Sequence, residues 1–334
     1  MEELLKQKDI LDYLREREYP TLLGEELFPE VKRESLEFDM IAEGSRTPVI
    51  ASVHGFDTEA EIGSREAGEM ALELALIKRK MQMKEKDILA LQCPRNEAEK
   101  KYLTKRVYND FDALNLGIRA RVELMRMELI ANGTVSLNEN GLSAVIDYGV
   151  PETHKVANVD WDLETNDPIK DMLTWYTLME TKPKRALTSN TILMKLLNHP
   201  KITARLFGDN TTRIATAGEL NTYLQSLKLP AIYTYDEVYR KQKGRTFETH
   251  RYFPENAFVM MPNTELGETI YGPTPEEIVL TSESDVTAEE VGKILDVIYT
   301  ETKDPVGTWK KGVATALPSC PYADELFQAK IKIA

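Results

Sequence analysis

The stretch EAEKKYLTKRVYNDFDALNLGIRARVELMRMELIA (residues 97–131) decides the architecture of this chain. Leu103, Val107, Phe111, Leu114, Ile118, Val122, Met125 and Leu129 recur at spacings of 4, 4, 3, 4, 4, 3 and 4, with Lys, Arg, Asp and Glu between them. That period puts one continuous apolar stripe on an α-helix of about nine turns. Pro94 punctuates the approach, Asn96 is placed to cap the start, and Asn132-Gly133 closes the end. At 1.5 Å per residue the helix spans on the order of 50 Å, longer than most domains require. Two readings follow: a long core helix, or a spine on which two separate pieces pack.

Outward from this helix the chain alternates between elements and breaks. Residues 2–17 mix charge with Leu4, Leu5, Ile10, Leu11 and Leu14, a short amphipathic helix pattern. Pro20, Gly24 and Pro29 then predict an extended arm from Tyr19 to Arg33, with too little apolar surface to fold alone. Pro48 to Val53 reads as a strand, followed by an acidic stretch punctuated by Gly55, Gly63 and Gly68. Glu69 to Met83 is helical by propensity alone. Short strands are predicted at Thr134–Leu137, Ala144–Tyr148 and His154–Val156. Helices follow at Ile169–Met179, Thr191–Leu197, Lys201–Phe207 and Glu219–Leu227. Ala231–Tyr235 and Ala257–Met261 are strands flanking a basic hairpin around Lys241-Gln242-Lys243-Gly244-Arg245. A charged helix is expected at Ala288–Ile298, then strand-like segments at Thr308–Leu317 and Leu326–Ile333.

Composition narrows the function. With 334 residues the length prior is about two domains. The 42% hydrophobic and 29% charged residues are ordinary for a folded, water-soluble chain. No run approaches the ~18 apolar residues of a membrane span, and Met1-Glu2-Glu3-Leu4-Leu5-Lys6 does not read as a signal peptide. Two cysteines, Cys93 and Cys320, are too few for a disulfide framework, which points to a reducing compartment. The net charge of −13 argues against a sequence-reading nucleic-acid binder; it reads first as a solubility device, and second as compatible with a container whose acidic wall would repel a polyanion.

Chemistry is scarce. There is no phosphate loop, no dinucleotide fingerprint and no nucleophile elbow. His54, His154, His199 and His250 have no second ligand at metal-binding spacing. No cofactor, metal site or catalytic residue is therefore expected, and a structural protein is favoured over an enzyme.

Several stretches together resemble the major capsid protein E family of tailed bacteriophages, the lambda-type coat proteins. Ile146-Asp147-Tyr148-Gly149 is similar to the family's Asp-aromatic-Gly strand end, followed by Trp161, Asp167-Pro168 and Asp171. Pro254-Glu255-Asn256-Ala257-Phe258-Val259 resembles its Pro-acid-Asn strand start, with Asn263, Gly267 and Tyr271-Gly272 beyond it. Asp304-Pro305, Pro318 and Ala323-Asp324 resemble its closing strands. The order and spacing of these pieces, from about residue 19 onward, carry the resemblance.

The resemblance implies an α+β chain with the Hong Kong 97-like capsid fold. Carried over, residues 1–40 are an N-terminal arm and 41–84 an extended loop reaching onto a neighbour, extended despite its helical propensity. Residues 85–166 hold the spine helix and the first part of a peripheral domain, 167–267 an axial domain, and 268–334 the second part of the peripheral domain. The implied function is a coat protein whose copies form hexamers and pentamers of an icosahedral or prolate head around double-stranded DNA. Implied partners are a scaffolding protein, a portal protein and a decoration protein, with non-specific proximity to DNA and no membrane. The setting is the virion, after assembly in the host cytoplasm. No lysine occurs between Lys32 and Lys78, so a non-covalent shell is expected. Candidate subunit-interface residues are Arg46, Glu59, Glu61 and Arg65 on the loop, and Lys241, Lys243 and Arg245 on the axial hairpin. The alternatives are an encapsulin-like nanocompartment shell enclosing enzyme cargo, and a soluble α/β enzyme with its site in 167–267.

Overall fold

The computed structural model describes residues 7–43, 67–139, 141–208, 213–283, 291–301 and 307–333. The expected strand at 48–53 lies outside these residues. The helix read from the apolar stripe is present as Glu97–Asn132. Asn96 Oδ1 accepts the Glu99 N–H at 2.8 Å, and Glu99 returns a carboxylate oxygen to the Arg95 N–H at 2.7 Å. At its end Gly133 adopts φ +70°, and a side chain there would also meet Val150 Cγ2 at 2.8 Å. Glycine is thus required twice over.

The chain forms two compact units, one of Met1–Phe38, Ala71–Glu123 and Glu268–Ser319, the other of Asp39–Met70, Leu124–Gly267 and Cys320–Ala334. In the first, Gly307–Pro318 is the organising strand of a five-stranded sheet. Leu295–Glu301 and Thr269–Gly272 pair antiparallel with it, and Glu30–Lys32 adds to Thr269–Gly272 in parallel. Ala75–Met83 pairs antiparallel with Thr308–Ala316 over nine residues. The helical propensity of 69–83 is therefore overridden, because strand formation is decided by the ladder a neighbour offers. Equally, Ala75–Met83 lies on its own subunit rather than on a neighbour. Glu37–Glu43 and Ala67–Glu73 form a two-stranded ribbon apart from this sheet.

Val107, Phe111 and Leu114 of the long helix pack with Ile10, Met83, Ile88 and Leu91 in one buried cluster. Gly312 lets this helix approach the sheet: a side chain there would meet Ile118 Cδ1 at 3.0 Å and Asp296 Oδ1 at 2.9 Å.

Two segments differ from the sequence expectation. The helix expected at 288–298 gives way to the strand Leu295–Glu301, while 284–290 lie outside the described residues. Gly292 at φ +72° breaks the helical path, and the β-branched run Val297-Ile298 then completes the sheet. The arm between Tyr19 and Arg33 is not extended throughout, since Leu23–Leu27 forms a helical turn. The surface that the arm requires is supplied by its own chain.

The second unit holds another five-stranded sheet, ordered Lys155–Val159, Phe327–Ile331, Ala257–Met261, Arg185–Thr188 and Ala231–Thr234. The outermost pairs are parallel and the two inner ones antiparallel. Helices Pro168–Leu178, Asn190–Asn198, Pro200–Phe207 and Ala217–Ser226 pack with it around Trp161, Trp175, Phe258 and Phe327. Trp175 stacks on Phe327 with centroids 5.4 Å apart, and Trp161 meets Phe258 edge-on at 5.5 Å. Local chemistry sets the helix starts. Asp167 accepts the N–H groups of Ile169 and Lys170, Ser189 accepts that of Ile192, and Thr216 with Glu219 forms a reciprocal capping box.

Candidate subunit-interface surfaces

The basic segment of the second unit is a two-stranded hairpin, Val238–Lys243 paired with Thr246–Arg251. Its two-residue loop is Gly244-Arg245, and Gly244 takes φ +63°, the left-handed conformation such loops demand. The base is rigidly held. Arg251 donates to Asp236, whose carboxylate also accepts the Asn190 N–H at 3.1 and 3.2 Å. Tyr239 packs on Tyr252 at 5.1 Å and on His250 at 5.6 Å. Beyond this base almost every residue is exposed, and Arg240 covers the Phe247 ring at 4.7 Å.

Lys241, Lys243 and Arg245 are brought together on this tip. Lys241 reaches Glu139 at 2.6 Å, and Lys243 lies 3.6 Å from Glu248. Arg245 has no carboxylate partner among the described residues. These pairs are solvent-exposed, so each contributes on the order of 0–1 kcal/mol to the folded subunit. The guanidinium and ammonium groups are consequently free to exchange partners at little cost. Arg46, Glu59, Glu61 and Arg65 lie outside the described residues.

Glu139 escaped the sequence reading. The Asn140-Gly141 pair marks the turn between Thr134–Glu139 and Leu142–Asp147, and was the signal available for it. A second set of residues escaped it too, those that lock the arm. Tyr13 and Tyr19 each donate a hydroxyl to Asp112 at 3.0 Å, and burial with this hydrogen bond raises both phenols above their ordinary pKa. Arg119 grips Glu25 at 2.6 and 2.8 Å, and Gly24 donates its N–H to the buried Glu123 at 3.0 Å. Gln7 bonds the backbone of Asp296 and Ile298 as a strand would. The Asp296 carboxyl itself is pushed up to about 7 by burial; Asn115 partly offsets this, and Asp112 adds to it. No local pattern joins residues separated by 90 positions or more.

Among the described residues no group of three or more His, Cys, Asp or Glu side chains is placed to hold a metal ion. No helix among them is long and apolar enough to cross a membrane.

The described residues thus form two five-stranded sheets, a 36-residue helix, a docked arm and an exposed basic hairpin, and the family model of phage major capsid protein E matches residues 6–331. The chain belongs to the phage major capsid protein E family. It is a coat protein, and its copies form the shell of a phage head. A solved structure described as a prophage capsid protein of E. coli CFT073 is similar over 98% of this chain and 99% of that one, with 15% identity and a TM-score of 0.65. A phage-related protein from Bordetella bronchiseptica RB50 is similar over 96% of both chains, with 14% identity and a TM-score of 0.51. No curated protein matches the sequence significantly. The capsid-protein structures establish the Hong Kong 97-like fold, and the family places the protein in the virion shell.

Proposed function

We propose that the coat subunit closes its shell through polar contacts made by the tip of the Val238–Arg251 hairpin around capsomer axes, with Lys241, Lys243 and Arg245 meeting carboxylates of neighbouring copies. The observation that carries this reading is the contrast within the hairpin, a base fixed by Asp236 and Arg251 below a tip whose cations have exposed partners or, among the described residues, none. Each copy carries a net charge of −13, so a neighbour offers carboxylates in excess. Weak contacts repeated over a closed lattice hold through multivalency.

In the same reading the loop reaches a neighbour through residues before Ala75, since Ala75–Met83 is committed to its own sheet. Arg46, Glu59, Glu61 and Arg65 would make those contacts, in a shell held without covalent links. A separate scaffolding protein sets the size of a closed head built in the host cytoplasm around a portal, to be filled with double-stranded DNA. A decoration protein then adds to it. The test is the double variant Lys243→Glu with Arg245→Glu, followed by sedimentation and negative-stain microscopy. Closed particles should be lost while the subunit stays folded by circular dichroism; particles in normal yield would refute the hairpin contact.

A further inference from the structure

In the first unit an open groove of about 830 Å³ runs between the helix Gln7–Glu16 with the residue following it, Arg17, and the first turns of the long helix. Lys100, Lys101 and Lys105 line it together with Arg17. Other described lysines, among them Lys32, Lys78, Lys195, Lys310 and Lys311, hold carboxylates. Lys100, Lys101 and Lys105 have no carboxylate within ion-pair distance among the described residues. Lys101 and Lys105 stand four apart on one helix, where like charges repel. The acidic groups nearby are Glu97 in the groove wall, Asp9 beside Tyr108, and Asp112, which lies 3.5 Å from Arg17 and accepts the Tyr13 hydroxyl. The uncompensated charge is therefore that of the three lysines. A net positive groove is thus maintained, against its own repulsion, in a strongly acidic chain.

We propose that this groove is a docking site for an acidic peptide segment of a partner protein, its carboxylates meeting Lys100, Lys101 and Lys105. A peptide is favoured over nucleic acid on two grounds. The Tyr13 and Tyr108 rings pack on each other with centroids 4.5 Å apart, so they are not free platforms for bases. A long polyanion would also face the field of the whole acidic subunit, which a short segment largely escapes by screening. The alkyl stems of the lysines and the tyrosine rings supply apolar contact beneath the charges. This site is separate from the hairpin contact, and it stands even if shells form from the coat chain alone.

The test uses the full-length coat protein and a fluorescein-labelled peptide of alternating glutamate and alanine, followed by fluorescence anisotropy at low and high salt. Binding should occur at low salt and weaken as salt rises. It should fall about tenfold or more in Lys101→Glu with Lys105→Glu. Lys101→Gln with Lys105→Gln should fall between wild type and the reversal, and Lys170→Glu, exposed in the other unit, should match wild type. Absence of binding, or equal binding by the charge-reversed protein, would overturn the proposal. Tighter binding of a single-stranded oligonucleotide, lost in the same variant, would overturn it in favour of nucleic acid.

Discussion

The N-terminal arm and the Val238–Arg251 hairpin are both polar segments, yet they use their charges in opposite ways. On the arm, Glu25 is bound by Arg119 through two oxygens, and the arm's Gly24 N–H finds the buried Glu123. Tyr13 and Tyr19 converge on Asp112, which is only 9% exposed. On the hairpin tip, Lys241 and Lys243 have exposed partners and Arg245 has none among the described residues. Charges enclosed with partners specify the subunit; charges left in water are available to another copy. The first set should respond to mutation through stability, the second through assembly.

The largest effect is expected where the arm meets the apolar stripe. Phe111→Ala empties a fully buried site packed by Ile10, Leu91 and Leu114, and should cost about 3–5 kcal/mol in urea denaturation. Next comes the buried Asp296. Its carboxyl is pushed up to about 7 in the fold, against an ordinary value of 3.8, so the folded state binds the extra proton between those values. Stability from this group is therefore complete below about pH 4 and lost as pH rises through about 7. Asp296→Asn keeps an acceptor for Asn115 Nδ2 and should remove that loss. Thermal melts of wild type and variant, compared from about pH 5 to about pH 8, should diverge with the variant the more stable at the alkaline end. Curves that stay parallel would exclude the effect.

Glu25→Ala breaks a pair whose side chains are 13% and 14% exposed, and should cost about 1.5–3 kcal/mol. Limited proteolysis should then cut the arm near Tyr19. The smallest change in subunit stability belongs to Lys241→Glu, within about 1 kcal/mol by thermal melting. Its effect should appear instead as a lower yield of sedimenting particles. A large melting shift there would erase the distinction between the two regions.

How much of this was legible in the sequence depended on distance along the chain. The helix Glu97–Asn132 was readable because its stripe, its Asn96 cap and its Gly133 stop are local signals. The basic hairpin was readable for the same reason, from cations around one glycine. Ala75–Met83 was not, because its strand character comes from Thr308–Ala316, more than 200 residues away in sequence. The strand Leu295–Glu301 was hidden by the helix-forming Ala288-Glu289-Glu290 before it, and Gly292 was the signal that should have stopped the helix. The arm's anchors were invisible, since Tyr19 and Asp112 are 93 positions apart and neither is unusual alone. The family resemblance recovered the extended second strand that propensity denied.

The most direct test of the central claim is a cryo-electron microscopy reconstruction of particles formed by the full chain. A closed shell with Lys241, Lys243 and Arg245 seated against carboxylates of adjacent copies is the predicted result. A shell in which this hairpin points into solvent, touching no other subunit, would contradict it.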